Sequence, residues 1–453
     1  ADGTVRGAYG SLNTAVDAVQ DGDTVKLLKD TADSCIVNDI AMTFDLNGKT
    51  LTAKDGSDCA FKILGGNLTV RDSSVHGRAP LVSADYKSVD YEGSGKILAS
   101  KVAVRIYRGG TMTLESGAVD SIAGVAIFAG STSQDNGNGH LSVKGGYIHA
   151  YSAAVAFFAQ GTTVNVSGGV IASEENAPLL GNGTSHGTEA TVSGGTLISR
   201  CTTDGYNACG IYHPQAGKLT ITGGNIFADG GAGVLMRAGS AYISGGTITA
   251  SGTEAGRVGD KDAEVPCSGV VVDHTSEKYP GEVESDTVTI SGNAVIRCDA
   301  ALPAVQVMAS DGESVKGDIV ITGGTFDGGK PDDALIDDEL QLEKGDDGSF
   351  VVVEKKVAQI GDKTFPSLAK ALDAAQDGDT VMLLENEDIS GSKKGVVVAS
   401  GKALILNLNG KELKVANTST GSLKVLGELT VRDSTDMNRN GTGSGRIYTT
   451  TEY

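Results

Sequence analysis

The chain has 453 residues, of which 64 are glycine, 8 proline and none tryptophan, with 5% aromatic and 39% apolar residues. No Gly-X-Y period accompanies the glycine, which excludes collagen, and the even spread of apolar residues excludes disorder. A net charge of −20 argues against nucleic acid or an anionic membrane as partner, since each phosphate contact needs a cation, and no stretch approaches the roughly 18 apolar residues of a membrane span.

The chain opens on Ala-Asp-Gly rather than on a signal peptide, so it is expected to be a mature or excised soluble piece. Residues 11–20 predict an amphipathic helix, with Leu12, Ala15, Val16 and Val19 on one face, Ser11 as N-cap and Gly22 past the end. A first strand is predicted over 23–28. Further on, one motif recurs at 141–150, 164–173, 190–199, 219–228, 241–250, 288–297 and 319–328, mostly 22 to 31 residues apart. Each copy is an alternating apolar strand, a Gly-Gly or similar small pair, and a second short strand. Period-2 alternation gives each arm one buried face, and the glycines supply a corner with φ > 0. A single copy is too short to bury that face, but parallel stacking about 4.8 Å apart builds one continuous core. The expected fold is all-β: a right-handed parallel β-helix of three faces, with the 11–20 helix capping its first turn.

A third strand per repeat reads small-apolar-x-apolar-x, from Ala103-Val-Arg-Ile-Tyr107 through Cys209-Gly-Ile-Tyr-His213 and Gly269-Val-Val-Val-Asp273 to Ala304-Val-Gln-Val-Met308. Its second and fourth positions are steadily apolar and are expected inside, which turns the fifth outward. That outward ladder runs Tyr107, Phe128, Phe158, Gly181, His213, Arg237, Asp273, Met308. Insertions cluster on both sides of it, at 199–208 and 250–268 before the strand and at 130–140, 182–189 and 274–286 after it, so a walled groove is expected. Aromatic rings along a groove suit the C–H faces of sugars, and imidazole, guanidinium and carboxylate add polar contacts. Tyr107, Phe128, Phe158, His213, Arg237, Asp273 and His274 are therefore candidate ligand-binding residues. The competing reading has loops covering Phe128 and Phe158, and Arg237 and Asp273 forming an ion pair between repeats. Glycoside hydrolysis needs two carboxylates, and the ladder holds one; Asp204, Glu254 or Asp262 on the loops would have to supply the other.

The acidic stretch 332–347 lacks the D-x-D-x-D-G order of a calcium loop and reads as a solvated cap and linker. Beyond it the opening block returns: 367–376, 377–381, 408–411, 429–434 and 443–447 match 11–20, 21–25, 46–49, 68–73 and 93–97. Residues 1–345 are thus expected as one β-helix, 346–356 as a linker and 357–453 as the cap and first turns of a second. Six cysteines form no CxxC and no zinc spacing. Neighbour pairing gives Cys35–Cys59, Cys201–Cys209 and Cys267–Cys298 as disulfides and favours an oxidising, extracellular setting. Cys35 and Cys59 are one repeat apart, and a bridge there would have to draw Cβ atoms closer than the strand spacing, which leaves stacked buried thiols open.

The cap helix followed by Asp-Gly-Asp-Thr-Val, the Leu-Asn-Gly-Lys turn and the Gly-Gly repeats resemble the pectate-lyase-like right-handed β-helix superfamily, and in particular its tandem members on the surface of Gram-positive bacteria. The likeness covers nearly the whole chain. It implies a secreted or cell-surface, adhesin-like protein, monomeric and binding host or plant polysaccharide, or else a carbohydrate-active enzyme in which His213, Arg237 and Asp273 would be catalytic. Val270-Val-Val-Asp-His274 is similar to the Val-Trp-Ile-Asp-His stretch of pectate lyases, with Val271 in place of the tryptophan. The lyase resemblance implies calcium beside Asp273 and Arg237 as the base; no other cofactor is expected.

Overall fold

The computed structural model describes residues 4–74, 79–91, 94–131, 136–203, 208–252, 256–258, 263–274, 287–298, 302–308, 318–392, 395–416, 422–435 and 443–449. Strand accounts for 48% of the chain and helix for 4%, and the strands stack in long, mainly parallel sheets. Contacts divide the chain into two units, residues 1–336 with 343–351, and 337–342 with 352–453.

In the first unit each repeat adds one strand to each of three stacks. The inward side chains make unbroken columns. Phe44, Val70, Leu114, Val143, Val166, Val192, Ile221, Ile243, Ile290 and Ile321 pair successively in parallel register, and none is more than 1% exposed. Burying a column of branched side chains against itself is what a short strand alone cannot do. The stack closes where Thr325–Asp327 pairs antiparallel with residues 350–351.

The Gly-Gly corners carry two separate demands. The second glycine takes a positive φ, 74° at Gly169 and 78° at Gly195. The first has ordinary φ but points along the stack: a Cβ on Gly168 would lie 2.3 Å from the Lys144 carbonyl oxygen, and one on Gly194 2.4 Å from that of Ser167. Stacking at the strand spacing therefore excludes any side chain there. The sequence reading assigned both glycines to the turn and missed the second reason.

Helix α1 is Leu12–Asp17, three residues shorter at its end than predicted, with Ser11 accepting from the Thr14 N–H and Leu12 and Val16 buried. The Leu12 N–H donates to Asp33 Oδ2 at 2.8 Å. The second unit repeats this construction. Its helix α2, Leu368–Ala374, is capped by Ser367, and the Leu368 N–H donates to Glu387 Oε2 at 3.0 Å. Asn47 and Asn409 both stand at φ 50° and donate from the side chain to the carbonyls of Leu27 and Leu383, at 2.9 and 3.0 Å. Asp72 accepts from the Gly48 and Gly95 N–H groups at 2.7 and 2.6 Å, as Asp433 does from Gly410 and Gly445 at 2.8 and 2.7 Å. Parallel stacks 380–383/403–407/428–432 and 387–388/412–415/446–449 surround a core that includes Leu372, Val381, Val398 and Leu406. The stretch expected as a linker contains the strand Phe350–Glu354, and the acidic stretch before it contains a 3-10 turn, Asp333–Leu335, and the strand Leu340–Lys344.

One element has no counterpart in the sequence reading. Leu81–Val82 and Val89–Asp90 form an antiparallel hairpin. Its Val82, Tyr86 and Val89 pack on Val170, Ala172, Ile198 and Phe227 of the second stack. The Tyr86 ring stacks on Phe227 at 4.6 Å, and Lys87 pairs with Asp229. The hairpin thus straps three successive repeats.

Candidate functional site

The third stack has ten strands: β1 Cys35–Asn38, β2 Phe61–Leu64, β3 Val104–Tyr107, β4 Ile127–Ala129, β5 Val155–Phe157, β6 Leu179–Leu180, β7 Ile211–His213, β8 Val234–Met236, β9 Val270–Asp273 and β10 Val305–Met308. Their register differs from the expected one. Val104 pairs with Ile127, Ile127 with Val155, Leu179 with Ile211 and Ile211 with Val234. The small-apolar motif is therefore displaced by two residues in β4 and by one in β6 and β7. Because side chains alternate, a one-residue slip moves a residue to the other face.

His213 is the residue this moves. It pairs with Met236 and lies in the inward column with Phe157 and Val272, wholly buried. Gly181 in the intervening repeat has no side chain, and the rings of Phe157 and His213 meet at 6.4 Å. Its Nδ1–H donates to the Ala238 carbonyl at 3.1 Å, while Nε2 has no hydrogen-bond partner. Burial pulls its pKa down to about 4, so the imidazole is neutral at pH 7. The expectation of an outward catalytic or ligand-binding His213 is corrected: it fills core.

Arg237 and Asp273 do face outward, but into protein. Tyr212, Leu235, Val265 and Val271 form a buried cluster over this part of the sheet. The Arg237 and Asp273 side chains are 3% and 0% exposed; Arg237 Nε stands 3.5 Å from Asp273 Oδ2, and Nη1 donates to the Tyr212 hydroxyl at 2.8 Å. The arrangement is an ion pair between adjacent repeats, the competing reading of the sequence, and not the floor of an open groove. His274 Nε2 lies 3.4 Å from Asp318 Oδ2. Asp204, Glu254 and Asp262 fall outside the described residues. Among those described, no three His, Cys, Asp or Glu side chains are placed to hold a metal, and Asp273 is engaged by Arg237, so these residues do not fit the calcium that the lyase resemblance implies.

The third face is partly open at β3 to β5. Phe128 and Phe158 are half-buried and pack edge to face at 5.5 Å. The Arg105 guanidinium sits 5.2 Å from the Phe128 ring centre and donates through Nη1 to the hydroxyl of Tyr107, itself 5% exposed, at 2.9 Å. Two aromatics and a cation thus share a surface.

All six cysteines are buried thiols, and no disulfide joins them. The Cys201 Sγ–H donates to the Glu175 carbonyl at 3.2 Å and that of Cys298 to the Leu302 carbonyl at 3.0 Å. The Cys267 sulfur packs against Gly252 and the Cys298 sulfur against Gly328, so the two face different repeats. The three expected bridges are corrected accordingly, and the inference of an oxidising setting loses that support. Burial raises the Cys35 thiol pKa far above normal and that of Cys59 to about 11.

A second polar group, on the second stack, was missed. His149 Nδ1 lies 2.8 Å from Asp120 Oδ1 and its Nε2 3.0 Å from Glu174 Oε1, and Arg200 Nη1 donates to the same Glu174 oxygen at 2.6 Å. Burial alone would lower the His149 pKa, but the hydrogen bonds to Asp120 and Glu174 raise it to about 9. Register was the available signal: Asp120 and His149 are paired residues on successive strands. Searches of family models, curated proteins and solved structures find no match to this chain.

Proposed function

We propose that the chain is a secreted or cell-surface right-handed parallel β-helix of the pectate-lyase-like kind that binds glycans through its lateral surface, as an adhesin-type module would. The observation that supports this reading is the half-open pair Phe128 and Phe158 with Arg105 beside it, since a sugar ring gains from C–H contact with aromatic faces and from a charged hydrogen-bond donor. The extracellular placement rests on the resemblance to tandem surface proteins. Catalysis at Arg237 and Asp273 has less support, because each neutralises the other out of solvent. A glycan array followed by product analysis tests the reading: binding without turnover is expected. Phe158→Ala should weaken any binding seated on the third face by about fivefold or more, a stacking platform contributing on the order of 1 kcal/mol. Turnover of a bound polysaccharide would replace binding by catalysis, and a silent array would end the glycan reading.

A further inference from the structure

At the corner that follows the second-stack strands, open apolar side chains adjoin an ordered charge network. Strands Ala118–Ser121 and Tyr147–Ala150 pair in register, so the residues after them, Ile122 and Tyr151, are neighbours on successive repeats. They are 62% and 44% exposed. In the next repeat Glu174 continues the row, its N–H donating to the Ala150 carbonyl, and the Tyr151 hydroxyl donates to Glu175 Oε1 at 2.5 Å, which fixes the ring. Asp120 and His149 stand two residues before Ile122 and Tyr151, on the same outward face of their strands. The Asp120, His149 and Glu174 side chains remain 29%, 26% and 35% exposed, so the network is reachable.

Each member of this network holds another. His149 donates to both carboxylates, and Arg200 holds Glu174 from the far side, so the acceptor oxygens are positioned before any ligand arrives. A flat exposed ring next to fixed carboxylate acceptors is the chemistry that recognises a pyranose: the C–H face lies on the ring while the hydroxyls donate to the oxygens. We propose that this corner is a glycan subsite taking one neutral pyranose unit, with Tyr151 as platform, Asp120 and Glu174 as hydroxyl acceptors and His149 as the positioning residue. The subsite rests on the glycan-binding reading above and gives it a second place on the molecule.

The test uses the full chain and a panel of methyl α- and β-glycosides of glucose, galactose, mannose and N-acetylglucosamine, with binding followed by ligand-observed NMR and the glycan array run in parallel. At least one glycoside should bind. Tyr151→Ala should weaken it tenfold or more, Tyr151→Phe should retain most of the affinity, and Tyr242→Ala, which removes an exposed ring on another strand, should leave it within twofold. Wild-type binding should fall as pH rises through 9, and His149→Gln should bind more weakly and lose that dependence. Glycoside binding that survives Tyr151→Ala unchanged overturns the subsite, while array binding by the same variant leaves glycan binding standing. Silence of both array and panel overturns the two together.

Discussion

Asp273→Ala separates a buried pair from an open groove. The Asp273 and Arg237 side chains are 0% and 3% exposed, with N and O 3.5 Å apart. At an effective dielectric of about 20 their attraction is roughly 5 kcal/mol, most of it offset by the desolvation of both ions. Removing the carboxylate takes away the attraction but leaves the guanidinium among Leu235, Val265 and Val271, with the Tyr212 hydroxyl still accepting from it. The expected loss is about 3 to 5 kcal/mol. Replacing both ions, as in Arg237→Met with Asp273→Leu, removes the buried guanidinium charge as well and should restore stability to within about 1 kcal/mol of wild type. Urea unfolding of the full chain followed by far-UV circular dichroism reads both variants. If the pair lined a solvated groove, Asp273→Ala would change stability by under about 0.5 kcal/mol and the double replacement would rescue nothing. That result would refute the assignment.

Three further outcomes are expected. His149 has a folded pKa of about 9 against an ordinary 6.5, so its contribution is complete below pH 6.5, declines as pH rises and is gone above about 9; the melting temperature should fall across that window in wild type and not in His149→Gln. The native chain should resist iodoacetamide at Cys35 and Cys209, both buried with raised pKa values, whereas unfolding without reductant should expose six reactive thiols; fewer would reveal a disulfide. Gly194→Ala, whose Cβ would meet a carbonyl oxygen at 2.4 Å, should cost several times as much as Gly401→Ala, where φ is 80° but nothing lies within 4 Å and only about 1 kcal/mol of backbone strain is expected. Equal losses would mean that the corner can spread.

The repeated arms and the duplicated opening block were legible because they depend on alternation and on turn chemistry local to a few residues. Ser11 and Ser367 cap their helices, and Asn47 and Asn409 make the same turn. The third stack was harder. Its motif asks for a small residue and two apolar ones, and at 209–214 neither register meets it fully: Cys209-Gly-Ile-Tyr-His213 puts Gly210 at the second position, and the one-residue shift puts Ile211 there but His213 at the fourth. The side chains that decide it lie elsewhere: a side chain on Gly181 would strike buried Gln215, the rings of Phe157 and His213 meet across that repeat, and Val265 arrives from an insertion to cover Tyr212. The His149 network was invisible for a related reason, since Asp120, His149 and Glu174 stand 25 to 29 residues apart and only register joins them.

The 79–91 strap changes how the stack comes apart. A repeat array held only by contacts between neighbours can fray from either end, one turn at a time. Tyr86 and Phe227 are 141 positions apart in the chain, yet their rings stack. The repeats between them cannot open singly without first losing that contact and the Lys87–Asp229 pair. Under tension along the stack this segment should give way as one block with a single rupture event, while the untied turns beyond Phe227 peel off in steps.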